Sequence, residues 1–103
     1  MANRLESLLE LHRKNSEDSF VVYGIALEYV SVKNFAKAEE YFDILLKQDP
    51  DYVPCYMQFG ILKSNLNKKN EAIKIFTDGI FVANKIGDKH AAIEMEEFLN
   101  ELK

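Results

Sequence analysis

The chain has 103 residues, of which 48% are hydrophobic and 29% charged, with a formal net charge of −4. This is enough for one soluble domain with its own core, and the acidic balance argues against a nucleic-acid partner, which needs clustered Lys and Arg. A single cysteine, Cys55, rules out an intramolecular disulfide and suits a reducing compartment, and no apolar run approaches the ~18 residues of a membrane-spanning helix.

Six helices are predicted, over residues 3–14, 19–32, 35–48, 52–66, 70–86 and 89–102. The first opens the chain as MANRLESLLELHRKN, which has no apolar core or small-residue cleavage pattern, so no secretory signal is expected and a cytoplasmic location follows. In the second, Val22, Ile25, Ala26 and Tyr29 fall at i, i+3, i+4 and i+7, one face of an α-helix. The third repeats that spacing with Ala38, Tyr41, Phe42 and Leu45, and Pro50 then prevents the helix from continuing. Asp51 and Pro54 mark the start of the fourth, where proline is tolerated in the first turn. Asn65, Asn67 and Asn70 bracket the next turn. Gly87 can end the fifth helix in a left-handed conformation, and Asp88 can cap the sixth. The sixth is expected to turn Ile93, Phe98, Leu99 and Leu102 inward and Glu94, Glu96, Glu97 and Glu101 toward water, the polar outer face of a terminal cap.

A shift of 34 residues aligns the chain with itself. Val22 meets Tyr56, Ile25 meets Phe59, Ala26 meets Gly60, Ala38 meets Ala72, Tyr41 meets Ile75 and Phe42 meets Phe76, whereas Tyr29 meets Lys63, a mismatch. Small residues at Ala26, Gly60, Ala38 and Ala72 let helices approach, and Phe42 and Phe76 fill the space beside them. The pattern resembles the tetratricopeptide repeat. Residues 19–52 look like a good copy, with Ala26, Tyr29, Phe35, Ala38, Phe42 and Pro50 at the expected places. Residues 53–86 look like a second, with Tyr56, Gly60, Ala72 and Phe76; it departs at Lys63, where an aromatic is usual, at Gly79, where alanine is usual, and at Asn84, where proline is usual. The missing proline lets the fifth helix run on to about Ile86. Shifted back by 34, Leu8 falls on Phe42 and Leu11 on Leu45, so residues 3–14 read as a half-repeat. The expectation is therefore an all-α superhelix of about six antiparallel helices forming one complete domain over residues 1–103: a half-repeat helix at 3–14, repeats at 19–52 and 53–86, and a cap at 87–103.

Little in the sequence points to chemistry. His12 and His90 have no cysteine, histidine or carboxylate at metal-ligand spacing beyond the ordinary surface pair of His90 with Glu94, so both are expected on the surface and no metal or cofactor is expected. Cys55 lies in the first turn of a helix, where the dipole lowers a thiol pKa, and His90 opens the next-but-one helix. A Cys-His catalyst would also need an oxyanion site and a cleft, for which there is no sign, so no enzyme is expected. Lys63, Lys68, Lys69 and Lys74 form a loose basic stretch that reads as a solvated turn.

The functional signal is an apolar surplus. Helix 19–32 reads SFVVYGIALEYVSV, with Glu28 its only charge. Beyond the packing face, Phe20, Tyr23, Leu27 and Val30 make a second apolar stripe, echoed by Met57 and Ile61 and extended by Ala91 and Met95. The family resemblance implies that this stripe lines a concave groove for a peptide or protein segment, with no membrane or nucleic-acid partner; the alternatives are cover by the last helix or a homodimer interface. Some members grip the carboxylates of a chaperone's C-terminal tail with Lys, Asn and Arg. The equivalent places here hold Tyr23, Leu27, Gln58, Asp88 and Ala92, so the resemblance does not imply that activity.

Overall fold

The computed structural model describes residues 3–103 as six helices: α1 (Arg4–Lys14), α2 (Ser19–Ser31), α3 (Phe35–Gln48), α4 (Val53–Asn65), α5 (Lys69–Ile86) and α6 (Lys89–Leu102). They form two compact units that divide between Asp49 and Pro50. The chain is all-α over the described residues.

In the first unit α1 packs on α2 and α2 on α3. Three helix starts are satisfied by side chains, since the first backbone N–H groups of a helix have no intrahelical acceptor. The Glu6 N–H donates to Asn3 Oδ1 at 2.8 Å, the Phe20 and Val21 N–H groups to Asp18 Oδ1 at 3.1 and 3.3 Å, and the Lys37 N–H to Asn34 Oδ1 at 3.3 Å. The core is Val21, Val22, Ile25 and Ala26 of α2 against Ala38, Phe42 and Leu45 of α3. Helix α1 contributes no fully buried residue. It docks through half-buried Leu5, Leu8, Leu9 and His12, and Leu8 lies over Gly24, the one position on that side of α2 without a side chain.

In the second unit α4 packs on α5, α5 on α6, and α4 also meets α6. Helix α4 begins at Val53 with Tyr52 as its N-cap and no side-chain cap bond, its start being set instead by the proline in its first turn. Asp51, expected to mark this start, instead accepts from Lys85 Nζ at 2.8 Å. The Tyr56 hydroxyl donates to the Pro50 carbonyl at 2.7 Å and ties the entry of α4 to its second turn. Helices α4 and α5 approach very closely. A Cβ placed on Gly60 would lie 2.5 Å from Phe76 Cε1, and one on Gly79 would lie 2.6 Å from Tyr56 Cβ and 2.7 Å from Met95 Sδ. Helix α5 does continue to Ile86, and Gly87, at φ 85°, ends it.

The turns after α2, α4 and α5 close alike. Each places one residue in the left-handed region, Lys33 at φ 63°, Asn67 at φ 62° and Gly87 at φ 85°. In each, the following N–H reaches back five residues: Asn34 to Tyr29 at 2.9 Å, Lys68 to Lys63 at 2.9 Å and Asp88 to Ala83 at 2.8 Å. This is the Schellman closure, which satisfies the last carbonyls of a helix.

Candidate functional site

Helix α2 has three sides. Val22, Ile25 and Ala26 are buried, with Tyr29 half-buried beside them. Gly24 and Glu28 face α1, where Glu28 Oε2 lies 4.0 Å from Arg4 Nε. The third side carries Phe20, Tyr23, Leu27 and Val30: Phe20 is 71% exposed and the other three are half-buried. A phenylalanine this exposed forfeits most of the gain available from burying its ring. No charged side chain interrupts this side.

Helix α4 is arranged similarly within its own unit. Met57 and Ile61 are half-buried on one side, while Cys55, Tyr56, Phe59, Gly60 and Leu62 are in the core. Its one charged residue, Lys63, is buried; Nζ donates to Glu71 Oε1 at 2.8 Å and sits 5.2 Å from the centroid of the Phe59 ring. Lys63 therefore does not belong to a solvated basic turn, as the sequence suggests. It stands 34 residues after Tyr29, on the packing face, and its alkyl stem takes the place of an aromatic while its charge is paired at the edge.

Helix α6 differs from expectation. Met95, placed by sequence on the open stripe, is fully buried, and Ala91 is buried as well. Ile93, expected to point inward, is 56% exposed. The inward face is Ala92, Met95 and Leu99, at i, i+3 and i+7, with Phe98 stacked on Phe76 at 5.5 Å between centroids. The bare backbone of Gly79 explains this choice: it leaves room for the Met95 thioether, a flexible filler of irregular space.

The residues read from the 34-residue pattern as repeat packing are found as follows. Ala26, Ala38, Phe42, Gly60, Ala72 and Phe76 are buried, Tyr29 sits 5.6 Å from Tyr41 between ring centroids, and Pro50 is exposed just beyond the end of α3. His12, expected on the surface, is half-buried with its ring edge-on to Tyr41 at 5.9 Å and its Nδ1 enclosed without a hydrogen-bond partner. Burial, reinforced by Tyr29 and the Glu40 carboxylate, raises the pKa of Tyr41 above its ordinary value; Lys37 opposes the shift. Cys55 is fully buried, whereas the His90 ring is exposed and pairs with Glu94 at 2.8 Å, so the two do not meet. Among the described residues no three His, Cys, Asp or Glu side chains converge as metal ligands, and no helix is long and apolar enough to cross a membrane.

No family model and no curated protein sequence matches the chain. Solved structures do. A tetratricopeptide repeat domain protein from Salinibacter ruber, in its solution structure, is 30% identical with a TM-score of 0.82, covering 86% of this chain and 90% of its own. The TPR2B domain of yeast Sti1 in its pHsp70 complex superposes with a TM-score of 0.88 at 13% identity over 95% of this chain and 78% of its own. A Bordetella parapertussis protein gives a TM-score of 0.85 at 20% identity, over 99% of this chain and 89% of its own. The last two likenesses concern the fold alone.

Proposed function

Because the chain belongs to the tetratricopeptide-repeat family, we propose that it is a non-catalytic protein-interaction module. It holds a peptide or protein segment against the apolar side of α2, Phe20, Tyr23, Leu27 and Val30; Met57 and Ile61 give α4 a corresponding apolar side in its own unit. The observation that carries this reading is Phe20: a large aromatic 71% exposed, continuing a stripe that no charge breaks. Exposed apolar stripes on soluble proteins mark places where another surface is bound. Repeat arrays use extended surfaces of this kind for recognition, and the yeast neighbour was solved as a complex with pHsp70. The buried thiol of Cys55, the single cysteine of the sequence, supports a cytoplasmic setting, which imaging of the tagged protein tests.

Leu27→Glu and Ile61→Glu test the reading. Each is expected to abolish capture of the native partner from host extract while the far-UV circular dichroism stays helical. Unchanged capture by both variants defeats it. A self-associating scaffold is the second reading, favoured by the same exposed ring of Phe20. It predicts dimers in sedimentation equilibrium at micromolar concentration, and a clean monomer removes it.

A further inference from the structure

We propose that the occupant of the α2 face is an uncharged amphipathic α-helix, docked through its apolar seam. This rests on the reading of α2 as a docking face and adds the chemistry of what docks there.

Three observations lead to it. First, Phe20, Tyr23, Leu27 and Val30 are spaced 3, 4 and 3 residues apart on one helix. That is the spacing of a coiled-coil seam, whose knobs fit the holes of a facing helix with the same repeat. The seam is about 15 Å long, ten rises of ~1.5 Å from Phe20 to Val30, which matches three turns of a partner helix. On α4, Pro54, Met57, Ile61 and Ser64 repeat the same spacing.

Second, the face is neutral because each helix turns its single charge elsewhere. Glu28 faces Arg4 on α1, and Lys63 is buried and pairs with the exposed Glu71 carboxylate of α5. The residues flanking the α2 seam are Ser19, Gly24 and Ser31. The only polar group on the seam itself is the Tyr23 hydroxyl, and no charged side chain of α2 lies there to select a carboxylate, a phosphate or a cationic side chain.

Third, apart from the Tyr23 hydroxyl the seam itself has no group to pair with a bare peptide backbone. An extended segment brings an N–H and a C=O at every residue, and burying these unpaired on an apolar surface is costly. A helix satisfies its own backbone and presents only side chains. A second copy of the chain fits less well: the seam is four side chains long and three are already half-buried, far from the ~800 Å² per partner of a stable dimer.

The test is selection from a phage-displayed library of random 16-residue peptides on the immobilised full chain. The best sequence is then synthesised with capped ends and measured by fluorescence anisotropy in 50 and 500 mM NaCl. The expected winners carry apolar residues at 3-4 spacing and gain helical circular dichroism on binding. Their affinity changes less than twofold between the two salts and falls at least tenfold in Phe20→Glu, a substitution at an exposed site that leaves the fold intact. Winners with acidic C-termini, winners that bind in extended form, binding that weakens severalfold in high salt, or no enrichment at all each overturn the helix assignment. So does concentration-dependent dimerisation of the wild type that Phe20→Glu abolishes. These outcomes are distinct from failure of the underlying reading, which is shown by native-partner capture surviving both Leu27→Glu and Ile61→Glu.

Discussion

Replacing glycine with alanine inside a helix ordinarily stabilises it by about 1 kcal/mol, the difference in helix propensity. The close approach of α4 and α5 predicts the opposite at Gly79. The new methyl carbon would sit 2.6 Å from Tyr56 Cβ and 2.7 Å from Met95 Sδ, against an ordinary carbon–carbon separation of roughly 3.5–4.0 Å. The Met95 thioether can swing aside, but the Tyr56 Cβ moves only with the α4 backbone, so the helices must part by about 1 Å. Overpacking of this kind costs about 1–3 kcal/mol. Set against the propensity gain and the loss of Met95 packing, Gly79→Ala should be about 1–2 kcal/mol less stable than wild type. At roughly 4–8 °C per kcal/mol for a domain of this size, the melting temperature falls by about 5–15 °C. Gly24→Ala is the matched control. Its nearest neighbour is Leu8 Cδ1 at 3.3 Å, the free end of a half-buried side chain, so the propensity gain survives and the melting temperature rises by a few degrees. Thermal unfolding followed at 222 nm compares the pair. If Gly79→Ala melts at or above wild type, the inferred tightness of the α4–α5 contact is wrong.

Lys33 holds a left-handed backbone conformation that asparagine and glycine adopt more cheaply, so Lys33→Asn should stabilise the chain by about 0.5–1 kcal/mol in urea titrations. At Lys63 the aliphatic stem should matter more than the charge: Lys63→Met is expected to change stability by under about 1.5 kcal/mol, whereas Lys63→Ala costs about 2 kcal/mol or more in the same titration. The raised pKa of Tyr41 means that its neutral phenol is favoured in the folded chain. That contribution is complete below pH ~10, the unfolded value, and is lost as pH rises through the folded one. Tyr41→Phe should therefore flatten part of the fall in melting temperature between pH 10 and 12; an unchanged slope would show that the ring is not protected.

The helix boundaries were legible because punctuation and periodicity agree. Pro50 lies just past α3, Asp88 caps α6, and Gly87 ends α5 as its left-handed tolerance suggests; the caps at Asn3, Asp18 and Asn34 were not singled out from sequence and emerge only from the structure. What misled is where apolar residues surround a helix. On α6 residues 91, 92, 93, 95, 98, 99 and 102 are all apolar, so two different inward faces satisfy the spacing. The sequence reading chose the one with Ile93, while packing selects the one with Met95 because Gly79 leaves a gap that a thioether fills. The signal was present at Gly79, but it identifies a partner only once three helices are assembled. Lys63 failed for a different reason: charge was taken as evidence of exposure, although the 34-residue register had already placed that residue on the packing face. The apolar side of α2 was visible because Glu28 is the helix's only charge, but the sequence did not show that Tyr23, Leu27 and Val30 are half-buried while Phe20 stands exposed.

Cys55 has a practical consequence beyond the question of reactivity. It is the chain's only thiol, and its side chain is wholly enclosed in the second unit. A labelling reagent can reach it only when that unit opens. The wild-type protein therefore carries its own clock for one half of the molecule: the ratio of labelling rates in native buffer and in denaturant reports the opening equilibrium around α4, with no probe introduced. Run with and without a bound peptide, the same clock would show whether occupancy of the α2 seam changes the opening of the second unit, a measurement that needs no mutation.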